Sequence, residues 1–399
     1  MIDWKGRTPR IFGGALLLFA AMGAAVYFQA RPSLGGSAQG AGLERMRHSP
    51  EWHGDRFVNA EPMWTSMWGA IWKSLSDVAE SVPSSKVPVR QDTALRLASP
   101  PETDLRLTWF GHSSTLVELE GTNVLFDPIW SDTPSPVTWA GPKRWFPPPV
   151  ALEALPRVDA VIVSHDHYDH LDRSTTLALA QRGSRFIVPL GVGAHLLSFG
   201  ISEDRITELD WWQSMKLGAV EVTATPARHA SGRINPHRDD TLWAGYALRG
   251  KQHRVWYSGD TGYHQTLTEI GERLGPFDVT LIESGQYDPL WPDWHLGPEQ
   301  AVLAHKNVRG KMMIPVHWAL FKLANHSWTE PGERVLAAAR CYGVEVALPR
   351  PGEAFEPLQG AKPQKWWPEV SWKTGREEAV VATLNGDPAM RRTLPPCGP

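Results

Sequence analysis

The sequence predicts an α/β (α+β) protein built on two mixed sheets covered by helices, and three observations carry that expectation. From residue 105 onward, short apolar runs alternate with turn residues, which reads as a succession of strands. Helical periodicity is confined to a few stretches between them, chiefly 298–306 and 332–342. Strand pairs close enough to be hairpins outnumber strand–helix–strand crossovers, which fits a doubly wound parallel sheet poorly. The bulk composition agrees: 399 residues with 42% hydrophobic and 21% charged side chains describe a globular chain of one large domain or two ordinary ones.

Taken in order, the chain opens on "IFGGALLLFAAMGAAVYF" at 11–28, an uncharged run preceded by Lys5, Arg7 and Arg10. Its length suffices to cross a bilayer. Phe28 stands where a cleavage site wants a small residue, so an uncleaved signal anchor over 1–30 is favoured over a cleaved peptide. The basic flank then belongs in the cytoplasm and the rest of the chain on the other, periplasmic or extracellular side. "RPSLGGSAQGAG" reads as a flexible linker within 31–50. A Trp-rich extension follows over 51–100. In it Trp64, Trp68, Ile71, Trp72 and Leu75 recur at helical spacing, either as a stripe packed on the core or as a helix lying at a membrane interface.

The domain expected over 101–355 begins with "LRLTWFG" and "STLVELEGTNVLFDP", the second turning at Gly121. "DAVIVS" is apolar throughout, as a strand covered on both faces should be. "DRSTTLALAQRG" starts with capping residues and ends at Gly183, the pattern of a helix. "RFIVPL", "AVEVTATPA", "TLWAGYALR", "HRVWYSGD", "DVTLIES" and "KMMIPVHW" follow as strands. The tail over 356–399 is rich in Pro and Trp and has no assignable fold, and no internal repeat is evident.

Chemistry concentrates where four of these strands end. "VIVS" runs into His165, His167, Asp169 and His170, "VTATPAR" into His229, "RVWYSG" into Asp260, and "MMIPV" into His317. One histidine at a strand end is ordinarily a structural residue. Seven imidazoles and carboxylates at four strand ends, where open α/β sheets place their sites, point to bound metal. Competing chemistries are excluded. There is no G-x-S-x-G elbow and no phosphate-binding G-x-x-x-x-G-K-[ST] loop. The only cysteines, Cys341 and Cys397, form no C-x-x-C pair, and whether they pair with each other is left open. A net charge of −3 argues against nucleic acid as a partner.

"HDHYDH" matches the H-x-H-x-D-H signature of metallo-β-lactamase-fold hydrolases, with His229, Asp260 and His317 in the places of their later ligands. More narrowly, "TWFGHSSTLVELEG", "DPIW", "GPKRW", "SHDHYDHLD", "SGDTGY", "GPEQAV" and "PVHWALFKLANHSWTEP" resemble the N-acyl-phosphatidylethanolamine-hydrolysing phospholipase D family. The stretch "IESGQYDPLWPDW" departs from that family's usual pattern. The resemblance implies a four-layer αββα sandwich and two divalent metal ions, most simply zinc. By that pattern His165, His167 and His229 would hold one ion and Asp169, His170 and His317 the other, with Asp260 bridging. His295 would stand near the reacting phosphate. Asp127 is expected to orient a ligand histidine, Asp172 to cap a helix, and Asp166 and His112 to be near the site without ligating.

The function so implied is a membrane-bound, zinc-dependent phosphodiesterase. It would release N-acylethanolamine and phosphatidic acid from a phospholipid substrate, through a hydroxide shared by ions about 3.5–4 Å apart, with Asp169, Asp260 and His295 in the catalytic machinery. Two alternatives stand beside it: a lactonase or other ester or amide hydrolase using the same site, and, last, a non-catalytic metal-binding membrane protein. Association into a homo-oligomer is left open.

Overall fold

The computed structural model describes residues 8–74, 78–233, 239–359, 362 and 364–395, with backbone alone for 8–20, 67, 71 and 74. Its centre is a pair of seven-stranded sheets. The first contains β1 (Leu105–Gly111), β2 (Ser114–Leu119), β3 (Thr122–Phe126), β4 (Ala160–Ile162), β5 (Arg185–Pro189) and β6 (Ile206–Leu209) in that spatial order. The second contains β7 (Ser214–Leu217), β8 (Val220–Thr225), β9 (Gly245–Arg249), β10 (Arg254–Tyr257), β11 (Phe277–Glu283), β12 (Gly310–Val316) and β13 (Glu345–Val346). β14 (Ala354–Phe355) returns from the end of the chain to the first sheet, antiparallel to β1.

The two sheets repeat one plan. In each, antiparallel pairs come first (β1–β2–β3 and β7–β8–β9–β10), then parallel ones (β3 to β6 and β10 to β13). Antiparallel neighbours within each half follow one another along the chain, and every parallel crossover except that from β3 to β4, which carries only the short turn Leu152–Ala154, contains an α-helix. The mixed sheets expected from the sequence are present, together with a repeat in topology that the sequence had not suggested.

Four helices, α1 (Thr8–Leu34), α2 (Gly40–Arg47), α3 (Met67–Ser74) and α4 (Thr93–Leu97), precede the sheets, and burial follows the layers. Leu107, Val117, Val124, Ile162, Val222, Leu248, Val279 and Ile314 share a core between the sheets. Leu116, Leu125, Val161 and Phe186 face the other way, against Leu179 of α5 (Arg173–Gln181) and Leu196 of α6 (Val192–Ser198). Trp256, Phe277, Ile282 and Met313 pack against α7 (Thr266–Arg273), α8 (Pro298–Asn307) and α9 (Glu330–Tyr342). The order helix, sheet, sheet, helix results, and each such side chain removed from water contributes about 1.5–3 kcal/mol. Asp172 caps α5 as expected, accepting from Ser174 N–H at 3.2 Å.

In the N-terminal third the free linker is corrected, the anchor finds no support among the described residues, and the Trp stripe bears on one of its two readings. A 27-residue helix, Thr8–Leu34, contains the segment expected as an anchor. Among the described residues no helix is long and apolar enough to cross a membrane, and the side chains of 8–20 lie outside them. The expected linker is docked rather than free. Gly36 N–H lies 3.1 Å from His195 Nδ1, Arg233 donates to the Ser33 carbonyl, and Arg45, on the helix Gly40–Arg47, pairs with Glu208 at 2.7 Å. Its glycines permit close approach, since a Cβ on Gly35 would fall 2.1 Å from His195 Nδ1. The Trp-rich stripe is helical over Met67–Ser74, where Trp68 and Trp72 are 75% and 72% exposed and Trp64 before it is half-buried; the side chain of Ile71 and all of Leu75 lie outside the described residues.

The tail is built into the molecule. Trp366 and Trp367 pack on Trp318, which stacks on Trp109 at 5.7 Å. Trp145 and Trp328 extend this aromatic cluster behind the metal-type edge of the sheets. Cys341 is disulfide-bonded, and Cys397, the other cysteine of the sequence, lies outside the described residues.

Candidate metal centre

The C-terminal ends of β4, β10 and β12 meet at one edge of the sandwich, and the residues after β8 join them. After β4 the chain turns at once, with His170 and Leu171 N–H both donating to the His167 carbonyl. That turn presents His165, His167, Asp169 and His170 together. His229 follows β8, Asp260 follows β10, and His317 follows β12. The two sheets are stitched at this edge by a short bridge: His112 N–H donates to the Trp318 carbonyl at 3.0 Å and His317 N–H to the His112 carbonyl at 2.8 Å. Asp127, His112 and His317 all have positive φ (37°, 52° and 65°). Left-handed backbone at such residues costs free energy and gathers at functional sites.

All seven residues singled out at the strand ends come together. His165, His167 and His229 bring ligand-type atoms within 4.8 Å of one another, and so do Asp169, His170, His317 and His112. Asp260 stands between the sets. Its Oδ2 is 3.8 Å from His165 Nε2, 3.9 Å from His229 Nε2 and 3.1 Å from His170 Nε2, and its Oδ1 is 3.1 Å from His317 Nδ1. His295 lies at the rim with its side chain 15% exposed, Nδ1 3.8 Å from Asp260 Oδ2.

The imidazoles are aimed from behind. Asp127, fully buried, sits 2.7 Å from His170 Nδ1 and also accepts from Ser164 N–H, the Ser164 hydroxyl and the Tyr257 hydroxyl. The Trp294 carbonyl is 2.9 Å from His229 Nδ1, and the Ser164 hydroxyl 3.0 Å from His165 Nδ1. Engaging one ring nitrogen fixes the other toward the centre. Asp166 points away and holds His195 Nε2 at 3.1 Å and Gly232 N–H at 2.8 Å. His112, expected near the site without ligating, lies 3.0 Å from Asp169 Oδ2.

The electrostatics fit bound cations. Burial, then mutual repulsion among imidazoles, holds His165, His229 and His317 well below the usual histidine range, so they are neutral and offer lone pairs. Burial likewise pushes the Asp260 carboxyl up to about 7. His170 goes the other way: despite burial, Asp260, Asp169 and Asp127 around it raise its pKa well above the usual value. The carboxylates thus demand positive charge that only a protonated ligand histidine supplies, and a divalent ion meets that demand. Two buried atoms facing the centre, His170 Nε2 and Asp260 Oδ1, lie 3.1 Å from Asp260 Oδ2 and His317 Nδ1 respectively but make no well-aligned hydrogen bond. Such orphans are costly without an ion to fill them.

Sequence reasoning missed Glu283. The last residue of β11, it is buried, with Oε2 2.9 Å from His295 Nδ1. An acid closing an apolar strand in "DVTLIES" was the available signal, but it has no motif spacing to mark it.

Known proteins resemble this chain in sequence and in fold. The sequence profile of the Beta-lactamase superfamily domain matches residues 122–318. An uncharacterised protein of Mycobacterium tuberculosis is 46% identical over 329 residues, 80% of this chain and 87% of that one. The N-acyl-phosphatidylethanolamine-hydrolyzing phospholipase D 1 of Caenorhabditis elegans is 37% identical over 275 residues, covering 64% of this chain and 77% of that protein. Among solved structures, an isothiocyanate hydrolase from Delia radicum gut bacteria shares the fold at a TM-score of 0.50 and 19% identity, over 63% of this chain and 98% of that one. The chain belongs to the metallo-β-lactamase-fold superfamily of metal-dependent hydrolases, alongside the N-acyl-phosphatidylethanolamine-hydrolysing phospholipases D.

Proposed function

We propose that the protein is a zinc-dependent phosphodiesterase of phospholipase D type, hydrolysing N-acyl-phosphatidylethanolamine-like phospholipids to an N-acylethanolamine and phosphatidic acid. The observation that carries this reading is the position of Asp260, within 4 Å of histidines from both ligand sets. On this reading His165, His167 and His229 would hold one ion and Asp169, His170 and His317 the other, with Asp260 placed to serve both. Two divalent ions there supply a nucleophilic water of lowered pKa and a Lewis acid for phosphate oxygens.

The chain's own residues do the rest. Asp127 and the Trp294 carbonyl keep His170 and His229 turned inward, so the site is formed before substrate arrives. Asp169 and Asp260 offset cationic charge. His295, at the rim, holds a proton at Nε2 for the oxygen that leaves with the N-acylethanolamine.

A lipid substrate is also favoured by the exposed Trp68 and Trp72, on a helix beside the segment that carries His295: the Ser66 N–H preceding it donates to the Leu290 carbonyl, and Lys73 pairs with Asp288 at 2.8 Å. Tryptophan prefers the membrane interface. We place the protein at a membrane with its catalytic domain on the non-cytoplasmic side. The apolar run 11–28 and the disulfide-bonded Cys341, a feature of oxidising compartments, support that placement.

The test gives the full chain, in detergent micelles, N-acyl-phosphatidylethanolamine or a long-chain lactone, with chelator and then with zinc restored. Phosphatidic acid that vanishes with chelator and returns with zinc is expected. Lactone opening without phosphatidic acid would replace the phosphodiesterase by a lactonase.

A further inference from the structure

Glu283 is a buried ionisable group beside the metal centre without a role in the proposed reaction. One oxygen is fixed by the backbone: Oε1 accepts Thr261 N–H at 2.6 Å, and Leu296 N–H lies 3.4 Å away. The other, Oε2, meets His295 Nδ1 at 2.9 Å. Glu283 therefore ties the residue after Asp260 to the residues around His295. The His295 segment is anchored a second time by Asp293, fully buried, whose carboxylate takes Arg228 Nη1 at 3.0 Å, Trp64 N–H at 2.8 Å and Thr383 N–H at 2.7 Å. A carboxylate so tightly held has one mobile partner, the imidazole.

We propose that Glu283 is the positioning residue of the reaction, engaging His295 Nδ1 so that His295 serves as proton donor to the leaving oxygen and not as an eighth metal ligand. This deepens, and rests on, the phosphodiesterase reading. His295 Nδ1 is 3.8 Å from Asp260 Oδ2 and 2.9 Å from Glu283, so without that acceptor a small rotation brings it into the ligand set. The donor state is the one in which Glu283 and His295 hold two protons between them: Nε2 then carries one whether the other lies on Glu283 or on His295 Nδ1. In the reaction, water oxygen bonds to phosphorus and the bond from phosphorus to the N-acylethanolamine oxygen breaks. Its electron pair leaves on that oxygen, which takes the proton from His295 Nε2. The attacking water's proton replenishes the imidazole through solvent.

The experiment compares Glu283→Gln with wild type on two phosphodiesters: N-acyl-phosphatidylethanolamine, which expels an alkoxide, and an alkyl p-nitrophenyl phosphodiester, whose leaving group needs no proton. Loss of a general acid costs roughly 100-fold or more on the first substrate, and the second should change little. His295→Gln should show the same split, and the double variant should be no worse than either single one, as residues acting as a unit are. The zinc content of Glu283→Gln should equal that of wild type. Nitrogen-15 NMR of the zinc-loaded wild type should show His295 protonated at Nε2, a readout that survives should the variant not fold. Equal slowing on both substrates, lost zinc, or an unprotonated Nε2 would overturn the proposal. A wild type inert toward both phosphodiesters would instead count against the phosphodiesterase reading, leaving the NMR to decide the role of Glu283.

Discussion

Asp127→Asn is the sharpest perturbation of the metal centre because it removes a charge while keeping shape. Asp127 is 0% exposed and faces donors only: Ser164 N–H on Oδ1, and the Ser164 hydroxyl, His170 Nδ1 and the Tyr257 hydroxyl on Oδ2. Asparagine tolerates the positive φ of 37° found here, so no backbone penalty is added. Its oxygen can serve the three donors on Oδ2, but its NH2 then faces Ser164 N–H. One bond to a charged acceptor is lost and a buried donor is orphaned, each worth about 1.5–3 kcal/mol. A destabilisation of roughly 3–6 kcal/mol follows for the metal-free protein, read by denaturant unfolding. His170 also loses the carboxylate that aligns it, which should weaken zinc binding about 10–100-fold in competition with a chromophoric chelator. A variant as stable as wild type, with zinc affinity within a factor of two or three, would refute the claim that Asp127 sets His170.

Three further outcomes are expected. Asp260→Asn should lower turnover at least 1,000-fold, about 4 kcal/mol in the barrier, with circular dichroism unchanged; near-full activity with both metals bound would remove Asp260 from its central role. His305, buried on α8 beside Thr280 Oγ1 at 2.8 Å, has its pKa lowered by burial to about 4. A depressed histidine contributes stability that is present above its unfolded pKa of about 6.5 and is lost as pH falls toward the folded value, up to roughly 3 kcal/mol. His305→Gln should flatten the acid limb of stability between those two values, and a parallel limb would contradict the assignment. Replacing Trp68 and Trp72 by serine should weaken binding to phospholipid vesicles by roughly tenfold per residue without altering unfolding; unchanged vesicle binding would free that helix from any membrane role.

How much of this was legible follows from range in sequence. The metal-type residues announced themselves because each ends an apolar strand, and a strand's end is a local signal: His229, Asp260 and His317 stand where the apolar runs stop. The mixed sheets were legible for the same reason. Glu283 was not, because its meaning comes from His295, twelve residues on, and from backbone donors at 261 and 296. The docked linker escaped notice because its glycines signal flexibility in sequence, while in the fold they admit His195 at close approach. The tail resisted assignment because Trp366 and Trp367 are ordered by Trp318, nearly fifty residues away. The short Trp helix shows the limit of periodicity: spacing aligned a stripe, and the structure left Trp68 and Trp72 facing solvent.

The most direct test of the account is hydrolysis of N-acyl-phosphatidylethanolamine by the zinc-loaded full chain in oxygen-18 water, followed by mass spectrometry of both products. Attack of water on phosphorus at the Asp260 centre predicts one heavy oxygen in the phosphate of phosphatidic acid and none in the N-acylethanolamine. Label in the N-acylethanolamine, or a labelled fatty acid in place of both products, would contradict it.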